Sequence, residues 1–461
     1  MRDPWEWSLS VASISTTEPA TPATVVSPPR QSDRRVWRKR TMVALVVVAY
    51  AALWGATGLA NINATDFDVF FLPSAIIAAA GHPLHIYAVR YMTTYPNANG
   101  PLAMAPLALV AWIAGHLGWL ANRPLRRALA MAIFSIFSLL MAREAVLASD
   151  RLLARPLRGW SRFLGYALFA LSPELWHSVL FYGHLEQPLM LWLILAGTRA
   201  LVERRAGRAG ALVGLALLTR SEAVLYLAPL ALLLLRRRRW RAARWLVGVA
   251  GATLTVGLLP FWLADRADMW YSLVSFRNTL PIGGGSIWRL AFNTSWSHLA
   301  TQYDSAAVLL AAGIVCVVAL APRPDVDVDS RGVYALFGAC SLCFLLLMRT
   351  LWPYYFLDTY VFLAVWWLTA LPQGRGRWAL ARWWAGAALP ALLIGYAQFG
   401  EYEVSHVGNA PWSVRSSLFM AGLLTVTLAG VIVLMWRGEI SSPPDPASVL
   451  IPLAPREGQG S

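Results

Sequence analysis

The stretch Arg38-Lys39-Arg40-Thr41-Met42-Val43-Ala44-Leu45-Val46-Val47-Val48-Ala49-Tyr50-Ala51-Ala52-Leu53-Trp54-Gly55-Ala56-Thr57-Gly58-Leu59-Ala60 decides the fold. A cluster of cations is followed by 20 residues without a charge. An α-helix rising about 1.5 Å per residue needs about that length to cross a hydrocarbon core of about 30 Å. Basic flanks stay on the cytoplasmic side, which puts the N-terminus inside and Asn61 onward outside. Composition agrees: 57% of the 461 residues are hydrophobic and 14% are charged. A soluble fold of this size would lack the polar residues to cover its surface. The expected class is therefore an all-α polytopic membrane protein.

Further apolar spans are expected at 101–120, 127–148, 162–182, 184–202, 245–264, 305–321, 332–348, 354–371, 378–396 and 414–436, with an interrupted segment at 209–235. Basic flanks at Arg375 to Arg382 and the acidic loop Gly400 to Glu403 fit an alternating path. The middle of the chain leaves two topologies open. Counting forward from the N-terminus makes Asn122 to Arg127 cytoplasmic. Counting back from the basic loop at Arg204, with 209–235 as a hairpin, makes the same residues external. Either 209–235 crosses once or a crossing before Leu120 is misread, so the expectation is about 12 or 13 full or half-membrane helices.

Three regions follow: a disordered basic cytoplasmic tail at 1–40, a multi-span domain at 41–436 with long outer loops at 61–100 and 265–304, and a disordered C-terminal tail at 437–461. The first 30 residues, rich in Ser, Thr, Pro and Ala, are too polar to pack and unlike a cleavable signal peptide. The net charge of +15 comes from arginines clustered beside apolar segments, a topological pattern and not a nucleic-acid footprint. Lysine occurs only at Lys39, so functional cations elsewhere must be arginine or histidine. Cys316, Cys340 and Cys343 lie within apolar spans, which argues against a disulfide framework or a zinc site.

Long loops carry function more often than short connectors do. In the first, Asp66-Phe67-Asp68 follows the opening span directly, placing two carboxylates at the outer membrane surface. A carboxylate there can act as a general base or simply mark the water boundary of a helix. In 209–235, Arg220 interrupts an apolar segment, which costs about 2.5 to 3.5 kcal/mol on insertion scales unless the side chain finds a partner or a watery cavity. Glu222 is one such partner and a lipid phosphate is another; sequence leaves both open. Arg277, Arg289 and Arg349 are further cations on the expected outer side. His82, His85, His177 and His184 lack the paired spacing of a zinc helix, so no metal or other cofactor is assigned.

The run Asp66-Phe67-Asp68-Val69-Phe70-Phe71, then Gly81-His82-Pro83-Leu84-His85-Ile86-Tyr87, then Tyr95-Pro96, Pro101-Leu102 and Ala105-Pro106-Leu107, resembles the N-terminal signature of GT-C superfamily glycosyltransferases, especially glycosyltransferase family 87. Ser172-Pro173 with Gly183-His184-Leu185-Glu186-Gln187-Pro188 is a second match. The third runs from Gly214 through Thr219-Arg220-Ser221-Glu222 to Pro229 and Arg236-Arg237-Arg238-Arg239-Trp240. The similarity covers about 41–245. It implies a membrane enzyme that transfers a sugar, mannose or arabinofuranose, from a polyprenyl-phosphate donor to a lipid-linked or polysaccharide acceptor at the outer face. By resemblance the base is Asp66, with Asp68 next. Arg220 takes the place of the family's usual lysine at the donor phosphate, where its planar fork adds bidentate binding. Arg277 and Arg349 are further phosphate candidates, and His85, Tyr87, His184, Glu186 and Tyr354 are candidates for contacting substrate. Two rival readings are a transporter or flippase of lipid-linked sugars, which should show related halves, and a noncatalytic scaffold for envelope assembly.

Overall fold

The computed structural model describes residues 31–60, 66–88, 96–153, 156–280, 282–284, 286–291, 294–351, 353–370 and 414–437. The expected span 378–396, the acidic loop Gly400 to Glu403, Tyr95 and the tail residues 1–30 and 438–461 lie outside the described residues. The chain divides into two units: residues 1–48, of which the first part of helix α1 is described, and residues 49–461. Among the described residues the regular secondary structure is helical apart from two two-residue strands, β1 (Gly283–Gly284) and β2 (Thr350–Leu351), paired in parallel.

Helix α1 (Gln31–Leu59) starts within the basic flank, ahead of the expected span. After it come a π-helical turn (Phe67–Phe71), α2 (Leu72–Ala79) and α3 (Pro101–His116). The Asn122 side chain caps α4 (Arg123–Leu152) by accepting from the Leu125 N–H, and proline in its first turn suits a position whose N–H needs no partner. The expected span 162–182 is broken. Helix α5 (Trp160–Ala170) ends before Ser172, which caps the short α6 (Pro173–Trp176), and a π-helical turn (His177–Tyr182) leads to Gly183 at φ 80°. Glycine bears that left-handed turn without steric cost, and it aims His184 inward ahead of α7 (Glu186–Val202). Then follow α8 (Ala206–Leu217), α9 (Val224–Arg236), α10 (Trp240–Trp270), α11 (Ser297–Leu320), α12 (Gly332–Leu347), α13 (Phe356–Ala370) and α14 (Val414–Trp436).

Among the described residues five helices are long and apolar enough to cross a membrane: Arg40–Leu59, Arg123–Leu152, Trp240–Ser275, Ser297–Leu320 and Leu418–Trp436. Only 11% of the apolar window of Trp240–Ser275 is buried, and Val256 and Leu263 stand 71% and 75% exposed. An uncovered apolar face of that extent suits hydrocarbon and not water. Inside the bundle, α12 and α13 are buried along most of their length and pack on each other.

Two sets of contacts relate the helix ends in the middle of the chain. Arg123, Arg126 and Arg127 at the start of α4 all reach Asp68, so α4 begins at the end of the molecule where α1 finishes, not opposite it. Helices α2 and α3 pack on each other, and the expected crossing 101–120 is a 16-residue helix ending at His116. At the other end, the residues before α8 and after α9 line one common groove, which makes α8 and α9 a hairpin with Arg220 at its tip. Helix α8 lies against α10 through Gly210 and Gly214, where a Cβ would come within 2.6 Å of the Leu246 carbonyl oxygen and 2.8 Å of that of Ala250. Small residues four apart let two helix backbones approach this closely.

Candidate active site

The hairpin tip is pinned from outside by backbone. Gly100 donates to the Thr219 carbonyl (3.1 Å) and Leu102 to that of Leu218 (3.0 Å). A Cβ on Gly100 would lie 2.0 Å from the Leu218 oxygen, so only glycine allows this approach. Arg220 itself is extended (φ −147°, ψ 136°), and its side chain enters the protein.

A continuous chain of polar contacts runs from Arg220 to the first outer loop. Arg220 Nη1 donates to Glu186 Oε1 at 3.0 Å, while Nη2 and Nε reach the two carboxylate oxygens of Glu222 at 3.3 and 3.4 Å. The same Glu186 Oε1 meets His184 Nδ1 at 2.8 Å, and His184 Nε2 meets Asp66 Oδ2 at 2.9 Å. Tyr354 lies over the His184 ring, with centroids 3.7 Å apart and planes inclined by 30°, and the Tyr355 ring sits 5.7 Å from the Arg220 guanidinium carbon. Each imidazole nitrogen thus faces a carboxylate, and only the doubly protonated ring donates to both.

Solvent reaches this chain at one end. The Asp66 side chain is 22% exposed, whereas those of His184, Arg220 and Glu186 are 8%, 4% and 0% exposed. Among the described residues Glu186 Oε2 is buried with no hydrogen-bond partner, and Arg220 uses one N–H on each of its three nitrogens. A buried acceptor without a donor costs about 1–3 kcal/mol. The site therefore holds one accessible carboxylate, an unanswered buried oxygen and a guanidinium with two N–H groups to spare.

Sequence-selected residues divide between this chain and other surroundings. Asp66, His184, Glu186, Arg220 and Tyr354 come together. Asp68, two residues from Asp66, turns away to Arg123 Nε (2.6 Å), Arg126 Nη2 (2.9 Å) and Arg127 Nε (2.9 Å) and Nη2. Burial pushes its carboxyl up, yet the three guanidiniums outweigh that and hold it below the usual carboxylate range. His85 pairs with Asp265 (2.8 Å) on an exposed surface, and buried Tyr87 donates to the Asn99 carbonyl (3.1 Å). Arg349 is buried between α12 and β2. The side chains of Arg277 and Arg289 lie outside the described residues.

Sequence reading missed a second polar layer. Gln187 Nε2 donates to the Tyr354 carbonyl (3.1 Å) and to Asp358 (2.8 Å), whose other oxygen accepts from Tyr226 (2.8 Å). This layer fixes the loop that carries Tyr354 against α7. The signal was present: a carboxylate at 358, well inside an apolar span, calls for buried partners.

The fold and the site define an all-helical protein with membrane-length helices and a buried ionic chain open at one end. Compared with known proteins, the chain matches no family model and no curated protein.

Proposed function

We propose that the chain is a GT-C-type membrane glycosyltransferase of about 12 or 13 full or half-membrane helices, working at the outer face of the plasma membrane with its N-terminus in the cytoplasm. Its donor is a polyprenyl-phosphate sugar, mannose or arabinofuranose, and its acceptor a lipid-linked or polysaccharide glycan of the cell envelope. One observation carries this reading: the accessible carboxylate of Asp66 is joined through His184 and Glu186 to the guanidinium at the tip of a re-entrant hairpin. A base and a cation for a leaving phosphate are thereby held at a fixed separation.

The acceptor hydroxyl gives its proton to Asp66 as its oxygen attacks the anomeric carbon, and the bond from that carbon to the phosphate oxygen breaks. Charge grows on the departing phosphate, where the two remaining N–H groups of Arg220 stabilise it. A single displacement inverts the anomeric centre. His184 keeps the Asp66 carboxylate aimed outward, and Tyr354 holds the imidazole plane. Glu186 Oε2 accepts a hydroxyl of the bound sugar. In this assignment Asp68 anchors α4 and takes no part in proton transfer.

The test is an assay of the purified full-length protein with radiolabelled polyprenyl-phosphate sugars and a membrane glycolipid extract, comparing wild type with Asp66→Asn. Labelled glycolipid from wild type alone supports the reading. Equal transfer by both proteins removes Asp66 as base, and no transfer from any such donor removes the class.

A further inference from the structure

A groove of about 1070 Å³ opens at the end of the α8–α9 hairpin farthest from Arg220. Two helix ends of the same design build it. Arg204 follows α7 at φ 59° and donates to the Leu201 carbonyl, while Arg205 donates to that of Ala200; Arg238 follows α9 at φ 56° and donates to Leu235, while Arg239 donates to Leu234. Both are helix terminations whose left-handed residue is ordinarily glycine, because a Cβ is strained there. Here both positions carry arginine, and both line the groove.

Arg208 on α8 and Arg241 and Arg244 on α10 complete its cationic wall, and no acidic residue lines it. Among the described residues two nearby carboxylates answer this charge, Glu203 at 3.9 Å from Arg205 and Asp327 at 2.9 Å from Arg239. Among the described residues the other five of the seven lining arginines have no carboxylate within ion-pair distance. Leu201 and Leu234 supply apolar lining, and Trp240 and Trp245, 58% and 55% exposed, stand where α10 begins. From Trp245 the same face of α10 continues through Val256, Leu259 and Leu263, the uncovered apolar face described above.

We infer that this groove binds the phosphate headgroup of an anionic phospholipid, whose acyl chains lie along the exposed face of α10. The arginine surplus selects the negative headgroup. The unbroken passage from guanidiniums to bare apolar helix selects a lipid over a soluble anion, because only a molecule with both parts satisfies both surfaces. Tryptophans at the junction match the headgroup level of a bilayer. This inference does not depend on the sugar chemistry, and its test reads no transfer.

The experiment uses the full-length protein in detergent, with retained lipid counted by native mass spectrometry during titration with phosphatidylglycerol, phosphatidylcholine or inorganic pyrophosphate. Arg204→Gly with Arg238→Gly removes two guanidiniums while placing the preferred residue at both left-handed positions, so the thermal melt should hold or rise. At about fivefold per arginine, phosphatidylglycerol affinity should fall about 25-fold in this double variant. If that variant melts early, Arg208→Gln with Arg244→Gln, both exposed and free of backbone strain, should give the same loss. Equal retention of phosphatidylcholine and phosphatidylglycerol overturns the inference, as does undiminished retention by a folded variant. Pyrophosphate that binds as tightly as the lipid and displaces it reassigns the groove to soluble phosphates.

Discussion

Arg220→Ala is the most informative perturbation. The guanidinium holds Glu186 at 3.0 Å and Glu222 at 3.3 Å, and both carboxylates are buried. At an effective dielectric near 20, charges about 4 Å apart attract by roughly 4 kcal/mol, and stranding a buried partner costs about 3–5 kcal/mol net. Total stability for a domain is about 5–15 kcal/mol, so a large drop in the detergent melting temperature is expected. Arg220→Ala with Glu222→Ala should restore only part of it. Glu186 remains unneutralised by arginine, and transfer stays lost because the phosphate contact is gone. Arg220→Lys should retain some transfer, since an ammonium keeps the charge but not the planar fork. The measurements are thermal melts and initial transfer rates at varied donor concentration, in which donor dependence worsens while acceptor dependence holds. Full recovery of both stability and transfer in the double alanine variant would show that Arg220 only neutralises Glu222, and the phosphate assignment falls.

Asp66→Asn should abolish transfer with an unchanged melt, whereas Asp68→Asn should lower stability by about 3 kcal/mol, because it removes the carboxylate charge that the three guanidiniums of Arg123, Arg126 and Arg127 share; the reverse pattern exchanges their roles. The Asp68 carboxyl lies below its ordinary range in the folded protein, so its contribution is complete above about pH 4 and disappears as pH falls through that lower value. The stability gap between wild type and Asp68→Asn, followed by melts across pH, should therefore close only in strong acid. Gly100→Ala, with its Cβ 2.0 Å from the Leu218 oxygen, should displace the hairpin tip and impair transfer more than Gly248→Ala, whose Cβ meets nothing within 4 Å; equal rates would mean that the tip tolerates movement. In intact cells a cysteine at Leu84, which is 41% exposed, should react with a membrane-impermeant thiol reagent, and one at Arg241 should not; the opposite labelling inverts the orientation.

The membrane-length helices were legible because apolar runs and basic flanks are local signals. The ionic chain was half legible. Asp66 and Arg220 stood out as charges at or inside apolar segments, but their connection through His184 and Glu186 depends on the left-handed turn at Gly183, which spacing alone does not reveal. Asp68 resembled Asp66 in sequence and separates from it only because α4 begins beside it with three arginines. The hairpin was ambiguous for a physical reason: α8 and α9 together have about the residue count of one crossing, and only the shared groove shows that the chain turns back.

That hairpin also constrains how the protein is made. Helices α8 and α9 have 12 and 13 residues, short of the roughly 20 that enter a bilayer as an independent span, and the turn between them carries a charge. Neither has a stable place until α7, α10 and α12 flank it, and Arg220 has no counter-ion across the chain until Glu186 is already seated. The segment therefore docks late, into a bundle assembled from its neighbours. Any protein that fails to complete that last docking still inserts its long helices and still looks like a membrane protein, but lacks the site.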